Sequence, residues 1–164
     1  MYLKEIWRYP VKSMAGERIE QSEVGPLGIA GDRQILVLGS NGRVLTARTY
    51  PKLLGLKGSI GGDGAALVSG HAWDSKQARL LVEETLGQKV TLIRHEGLER
   101  FDVLPLLVAT DGAIAYMGFD GRRLRPNLVI GGVEGLEERK WPERQLEVGE
   151  TLIEPAQLDR KSVV

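Results

Sequence analysis

Cysteine is absent from this chain of 164 residues. Its absence excludes disulfide bonds, metal sites built on protein thiolates and a cysteine nucleophile. Histidine is scarce as well, since His71 and His95 are the only two, and neither stands at a spacing from acidic residues that is typical of a metal site. We interpret both as structural. The sequence also lacks the Gly-x-Ser-x-Gly, Walker and dinucleotide-binding glycine patterns.

Long apolar runs and an excess of one charge are missing too. No run approaches the roughly 20 residues that a membrane span requires, and Met1 to Glu5 lack the layout of a signal peptide. The 22 basic residues balance 22 acidic ones, so no overall field attracts nucleic acid or an anionic membrane. These absences predict a cytoplasmic protein without nucleic-acid or membrane partners, in which any anion site is local.

The residues that are present indicate a globular, turn-rich chain. Hydrophobic residues make up 42%, and there are 21 glycines. Hairpins are predicted for residues 33–38 with 43–48, across Asn41-Gly42, and for residues 56–60 with 65–69, because the intervening glycines tolerate the positive φ of hairpin turns. Strands are also predicted at residues 90–93 and 128–130, and near the end at residues 146–153.

Two segments have the pattern of a helix. Residues 74–86 begin at Asp74, a suitable cap, with Gln77 three residues later, and they stop at Gly87. Residues 110–117 begin at Thr110 or Asp111 and stop at Gly118. Many short strands with two or three short helices predict a mainly β fold, a β-barrel with helical additions. A chain of this length is expected to form one compact unit.

An arginine-rich turn, Gly121-Arg-Arg-Leu-Arg-Pro-Asn127, precedes an apolar strand. Arginine presents a planar fork of donors that matches phosphate or carboxylate, and Pro126 stiffens the approach of Asn127. An anion clamp is one interpretation. A solvated loop is the other, because charged clusters usually face water, and spacing alone does not decide between them.

Three other places offer groups that suit an anion. Lys12 and Ser13 present an ammonium and a hydroxyl at a bend, and Arg33 lies where a glycine turn enters a strand. Thr110-Asp111 could expose helix N–H groups to a phosphate, although helix capping alone explains both residue types. Each has an ordinary alternative, and for Asp32 we prefer it: a hydrogen bond to its own backbone or a pair with Arg33.

Taken in order, five motifs of this chain resemble those of the MOSC family, including its N-terminal β-barrel domain. They are Tyr9-Pro-Val-Lys-Ser13, Gly28-Ile-Ala-Gly-Asp-Arg33, Leu45-Thr-Ala-Arg48 with Pro51, Leu106-Leu-Val-Ala-Thr110 and Arg123-Leu-Arg-Pro-Asn-Leu-Val-Ile130, followed by Trp141-Pro142 and Leu146-Glu-Val-Gly149. The resemblance implies a MOSC-type β-barrel. It further implies an N-terminal barrel-like region over residues 1–98 and a truncated MOSC-like region over residues 99–164.

The resemblance also implies a function. Such proteins bind the molybdenum cofactor (molybdopterin), and some reduce N-hydroxylated compounds. The matching positions for the pterin and its phosphate are Lys12, Ser13, Arg33, Thr110, Asp111, Arg125 and Asn127. We expect Lys12, Ser13, Arg33 and Arg125 to converge on one cleft. The implied partners are a small-molecule ligand or pterin cofactor and a redox partner protein. Cations, a hydroxyl and a helix start all suit a phosphate-bearing ligand.

One departure from the family pattern concerns the metal. Where the family places a molybdenum-ligating cysteine, this chain has Ser162, and Lys161 replaces an arginine. A serine hydroxyl is far less acidic than a thiol and is a harder ligand, so we expect the position to be inactive in metal redox chemistry. The sequence also ends at Val164, where relatives continue. A truncated or diverged member, or an engineered Cys→Ser form, would each have this sequence.

Three functions therefore stay open. The first is a cofactor-binding protein of oxidoreductase or sulfur-transfer ancestry, and the second is a noncatalytic ligand-binding or scaffold module that keeps the pocket. The third is an interaction domain without a pocket ligand. Cations that converge on one cleft would favour the first two.

Overall fold

A computed structural model describes residues 1–156 of the chain. The predicted metal-ligand position, Ser162, and its neighbour Lys161 lie outside these residues. The chain divides into two compact units: a larger unit, Trp7–Pro105, and a smaller unit that joins Met1–Ile6 to the chain from Leu106 onward. The boundary between the units falls after Pro105 rather than after residue 98, and the first six residues belong to the unit formed by the end of the chain.

The described residues form thirteen strands and two α-helices, in this order: β1 (Tyr2–Arg8), β2 (Glu17–Ile19), β3 (Val24–Gly25), β4 (Gly28–Ile29), β5 (Ile35–Gly39), β6 (Gly58–Ile60), β7 (Ala66–Val68), β8 (His71–Ala72), α1 (Lys76–Leu86), β9 (Val90–Arg94), β10 (Val108–Thr110), α2 (Asp111–Met117), β11 (Leu128–Gly131), β12 (Leu146–Val148) and β13 (Thr151–Ile153). Short 3-10 turns occupy Pro51–Gly55, Leu98–Arg100, Gly121–Arg123 and Glu137–Lys140. The predicted mainly β fold is confirmed. No closed barrel forms among the sheets of residues 1–156.

The larger unit is built on the antiparallel pair β5 and β9, in register from Ile35 with Arg94 to Gly39 with Val90. Strand β5 reads Ile-Leu-Val-Leu-Gly and is buried along most of its length, as expected for an apolar strand covered on both faces. The core around it contains Val11, Met14, Ile35, Val37, Leu53, Val68 and Val82. Burial of these side chains is the main stabilising contribution to the unit.

The hairpin predicted across Asn41-Gly42 forms only in part. The turn is present, with Gly42 at a φ of 73°, but residues 43–48 contribute one bridge, Leu38 with Val44, instead of a strand. Strand β5 pairs along its whole length with β9. The extended run beyond Val44 is short because the chain turns at Thr46, whose carbonyl accepts from Tyr50 N at 2.8 Å. The second predicted hairpin is confirmed as β6 with β7.

Helix α1 is the longest in the described residues, as predicted, but its cap is Ser75 rather than Asp74. The Ser75 hydroxyl accepts from Ala78 N at 3.1 Å, which satisfies one of the free N–H groups of the first turn. Gly87 ends the helix in the left-handed conformation, as the sequence predicted. Near this end, the buried Glu83 carboxylate binds Lys89 Nζ at 3.1 Å.

The smaller unit contains the parallel pair β10 and β11, with α2 between them in sequence, and β1 runs antiparallel to β11. A crossover of this kind is the usual way to connect parallel neighbours. Strand β11 is buried throughout, and Ile130, Val133 and Trp141 form the core. The helix predicted at residues 110–117 is confirmed, with Gly118 as its left-handed stop. The single strand predicted at residues 146–153 is instead the hairpin β12 with β13.

Candidate functional site

Backbone hydrogen bonds bring two of the sequence motifs side by side in the larger unit. Arg33 N donates to Tyr9 O at 2.7 Å, Ile35 N donates to Pro10 O at 3.0 Å, and Lys12 N donates to Ile35 O at 2.8 Å. The segment that carries Lys12 therefore runs parallel to the segment that carries Arg33. Residues that are distant in the sequence become neighbours because this ladder fixes their register.

The Asp32 side chain fastens the same two segments together. It is fully buried, its Oδ1 accepts from Tyr9 N at 2.7 Å, and its Oδ2 pairs with Arg33 Nη1. The Arg33 guanidinium in turn lies over the Tyr9 ring, 5.0 Å from the centroid, where a cation–π interaction adds stability. The predicted Asp32–Arg33 pair is confirmed, and it holds Arg33 in one orientation.

Three of the predicted site residues share an unusual backbone conformation. Ser13, Arg33 and Arg125 have φ values of 69°, 51° and 56°, and only two other described non-glycine residues, Ser69 and Glu143, have positive φ. The left-handed region costs an L-residue roughly 1–2 kcal/mol. Such residues persist when the surrounding structure fixes them, and they cluster at functional sites.

Lys12 is held by two contacts of its ammonium group. Its Nζ donates to the Arg100 carbonyl oxygen at 2.9 Å and pairs with Asp102 Oδ1, also at 2.9 Å. The Lys12 side chain is 13% exposed, whereas that of Asp102 is 60% exposed. The ammonium therefore lies at the edge of the unit, held by a carboxylate that water can reach.

Arg100, whose carbonyl oxygen binds Lys12, is a candidate that the motifs did not identify. The residue is only 3% exposed. Its Nη1 donates to His95 O at 3.5 Å and its Nη2 to Leu27 O at 3.4 Å, while Nε has no acceptor among the described residues. The guanidinium lies 4.7 Å from the Phe101 ring centroid. Nothing in the motif pattern marks this position, because its burial depends on contacts with residues remote in the sequence.

Burial also affects the electrostatics of Arg100. Loss of hydration lowers the pKa of its guanidinium, the nearby charges of Asp32 and Glu96 oppose this effect, and the positive charge of Arg33 adds to it. A buried cation is costly unless an opposite charge compensates it. The protein tolerates this cost at Arg100 with carbonyl contacts and an aromatic face.

In the smaller unit, Thr110 and Asp111 organise the start of α2. The Thr110 hydroxyl is buried, accepts from Ala113 N at 2.9 Å and donates to Glu138 Oε2 at 3.1 Å. Asp111 Oδ2 accepts from Gly132 N at 2.8 Å, and its Oδ1 accepts from Val133 N at 3.1 Å. These backbone donors, Gly132 first, lower the pKa of Asp111. Both side chains serve in capping, and their contact with a cofactor stays a prediction.

The arginine-rich turn separates into two kinds of residue. Arg122 is exposed and pairs with Asp120, which lowers the pKa of that carboxyl to about 2, and the exposed Arg123 lies over the Phe119 ring. For these two the solvated-loop interpretation is confirmed. Arg125 is half-buried and left-handed.

Asn127 follows this turn and is fully buried. Its N–H donates to Leu107 O at 2.7 Å, and its Oδ1 accepts from Leu107 N at 3.1 Å. The side chain thus extends the β10–β11 pairing by one further bond.

The structure brings Lys12 and Arg33 onto neighbouring segments of the larger unit, next to Ser13. The other predicted residues, Thr110, Asp111, Arg125 and Asn127, belong to the smaller unit. Convergence of Lys12, Ser13, Arg33 and Arg125 on one cleft stays a prediction. A separate depression of about 330 Å³ in the larger unit, between Trp73, Lys76, Arg79 and Thr91, contains none of the predicted residues.

Residues 1–156 contain no group of three or more histidine, aspartate or glutamate side chains that could hold a metal ion. None of their helices has the length and apolar character needed to cross a membrane. The cytoplasmic location stays a prediction.

Comparison with known proteins gives one family and several relatives. The family model for the MOSC N-terminal beta barrel domain matches residues 1–110. The chain is 24% identical over 197 residues to mitochondrial amidoxime reducing component 2 of Macaca fascicularis, and likewise to that of Homo sapiens, covering 85% of this chain and 59% of each relative. It is 29% identical over 99 residues to human mitochondrial amidoxime-reducing component 1, covering 58% of this chain and 28% of that protein. The chain thus spans about three-fifths of the length of the first two relatives.

Proposed function

The chain belongs to the MOSC family, and on that basis we propose that it binds the molybdenum cofactor through the cofactor's phosphate-bearing organic part. Relatives named as amidoxime reducing components connect the family with oxidoreduction. Whole-protein activity is a proposal here, because the chain covers 59% of the first relative's length. Cofactor binding is the part of the function that the described residues can support.

One observation carries the proposal: Lys12 and Arg33 lie on neighbouring backbone segments, each at the position where the family motif places a cofactor ligand. Parallel pairing through Ile35 sets their spacing, and the Asp32 carboxylate orients the Arg33 guanidinium. Two cations presented from one rigid ladder, with the left-handed Ser13 beside them, suit a phosphate group. Preorganised donors of this kind bind an anion at a low entropic cost.

The donor set fits the two parts of the cofactor differently. The cations and the hydroxyl fit the pterin phosphate, and Arg100 Nε is a buried donor still without an acceptor in the described residues. A protein thiolate is not available, since the chain has no cysteine. When bound, the cofactor supplies redox chemistry at its metal. The residues described here would bind and orient its organic part.

A noncatalytic ligand-binding module is the second candidate, and the missing cysteine favours it. Ser162 stands where the family has its molybdenum ligand, and a serine oxygen is a poor replacement for a thiolate. In this function the anion-binding residues are retained and the metal chemistry is lost. The two candidates share the ligand and differ in whether the metal is held.

Elemental analysis for molybdenum, together with fluorescence of the released oxidised pterin, tests both on protein made in a host that synthesises the cofactor. Pterin with molybdenum supports the first candidate, and pterin without metal supports the second. Absence of both, in a folded protein, overturns cofactor binding. Lys12→Gln should reduce pterin retention, whereas Lys52→Gln, at an exposed position, should not.

A further inference from the structure

We propose that Arg100 is an oxyanion-binding residue that contributes its buried guanidinium, beside Lys12 and Arg33, to binding of a phosphate group. No motif of the chain assigns a role to this residue. The inference rests on the proposed function in one respect, namely that the phosphate is that of the cofactor. A free phosphate or pyrophosphate would be bound by the same chemistry.

The Arg100 guanidinium makes two long hydrogen bonds and leaves one donor unsatisfied. Its two carbonyl contacts, at 3.4 and 3.5 Å, exceed the usual 2.7–3.2 Å of an N–H···O bond. Its Nε has no acceptor among residues 1–156. A residue that is 3% exposed cannot satisfy these donors with bulk water. Buried arginines are normally paired, so Arg100 Nε is a donor that still lacks its usual acceptor in the described part of the chain.

The acidic groups near Arg100 already form ion pairs with other cations. Asp32 pairs with Arg33, Asp102 pairs with Lys12 at 2.9 Å, and Glu96, which acts on Arg100 through space, pairs with Arg94 at 3.3 Å. Each pair joins one cation to one carboxylate. Arg100 is therefore the cation of this neighbourhood that makes no carboxylate contact among the described residues.

Arg100 is also linked by hydrogen bonds to Lys12 and to the segment that carries Arg33. The Arg100 carbonyl oxygen accepts from Lys12 Nζ at 2.9 Å. Arg100 Nη1 donates to His95 O at 3.5 Å, and His95 N donates at 2.8 Å to the carbonyl oxygen of Gln34, the neighbour of Arg33. The positive charge of Arg33 accordingly lowers the pKa of Arg100.

Among the described residues, the three cations of this neighbourhood have two carboxylate partners, Asp32 and Asp102, so one positive charge lacks a carboxylate. A bound oxyanion supplies the missing negative charge.

Phosphate is the oxyanion that this arrangement suits best. An arginine fork binds two oxygens of one phosphate in parallel, while an ammonium acts as a compact charge on another. The exposed Asp102 carboxylate holds Lys12 in the ligand-free chain, and a phosphate would compete with it for the ammonium. Phosphate binding therefore displaces Asp102 from the Lys12 ammonium.

The test measures binding of inorganic phosphate and pyrophosphate by titration calorimetry, without the cofactor. Arg100→Lys keeps the charge and loses the fork, and Arg100→Met removes the charge while keeping an apolar chain of similar length. The matched control is Arg94→Lys, because Arg94 is an exposed arginine of the same unit. We expect Arg100→Lys to weaken binding about ten- to hundredfold, Arg100→Met to abolish it, and the control to leave it unchanged.

Arg100→Met should also raise the thermal midpoint of the ligand-free protein, because a well-packed apolar chain replaces an uncompensated buried cation. Phosphate affinity unchanged in Arg100→Lys, equal losses in the Arg94 control, or no binding of either anion by the unmodified protein would each overturn the proposal. Should Arg100→Met fail to fold, Arg100→Lys still decides. Pterin retention distinguishes the role of Arg100 from the proposed cofactor binding. Pterin retention that is unchanged in the Arg100 variants overturns the role of Arg100 alone. Phosphate binding without pterin retention overturns only the proposal that the chain binds the cofactor.

Discussion

The Asp32 side chain and the Tyr9 backbone are joined across 23 positions of the sequence by a hydrogen bond of 2.7 Å. The other oxygen of the same carboxylate pairs with Arg33. One buried acid therefore fixes both the strand that leads to Lys12 and the guanidinium of Arg33. Its position thereby sets the spacing of the segments that carry Lys12 and Arg33.

We expect Asp32→Ala to lower the free energy of unfolding by roughly 3–5 kcal/mol, since it removes the buried carboxylate that binds the half-buried Arg33 guanidinium and the Tyr9 N–H. Asp32→Asn should cost less, about 1–3 kcal/mol, because its amide oxygen can still accept from Tyr9 N. Urea unfolding measures both. A loss below 1 kcal/mol for Asp32→Ala would show that the carboxylate does not fasten these segments.

Ser75 and Asp74 give a matched test of the start of α1. Ser75→Ala removes the hydroxyl that accepts from Ala78 N and should cost about 1 kcal/mol. Asp74→Ala, one residue earlier, should change stability by less than about 0.5 kcal/mol. Urea unfolding of the two variants is compared directly. The reverse order would restore Asp74 as the cap that the sequence predicted.

Ser13 tests the connection between backbone strain and ligand binding. Ser13→Gly should raise the free energy of unfolding by up to about 1 kcal/mol, because glycine adopts a φ of 69° without strain. Ser13→Ala keeps the strain and should not raise it. Both variants should retain less pterin if the hydroxyl contacts the cofactor. Full retention in Ser13→Gly would remove Ser13 from the site.

Glu83 predicts a pH dependence for the larger unit. Its hydrogen bond with Lys89, followed by that with Val90 N, lowers its pKa. The folded pKa lies below the unfolded value of about 4.3, so the unfolded chain binds more protons between the two. The contribution of Glu83 to the free energy of unfolding is therefore complete above the unfolded pKa and is lost as pH falls through the folded pKa.

The measurement is the unfolding midpoint as a function of pH in the native protein and in Glu83→Gln. The variant should have a lower midpoint at pH 7 and a weaker dependence on pH below about 4.3. Glu84→Gln, at the next position, is the control and should follow the native curve. Parallel curves for the native protein and Glu83→Gln would contradict the assignment.

The sequence predicted those elements whose signals are local. Gly87 and Gly118 end their helices in the left-handed conformation, as glycine at such positions allows. The strand at residues 128–130 and the hairpin of β6 with β7 were equally evident, because apolar runs and glycine turns act over a few residues. The family motifs likewise identified Lys12 and Arg33, whose side chains suit an anion wherever they lie.

Tertiary structure decided the features that depend on which distant segments meet. Strand β5 pairs with β9 along five residues, whereas residues 43–48, which are close in sequence, contribute one bridge on its other edge, Leu38 with Val44. The burial of Arg100 likewise depends on segments remote in sequence, since its contact with Leu27 spans 73 positions. Periodicity and propensity describe neighbours along the chain, whereas the cost of a buried charge depends on everything packed around it.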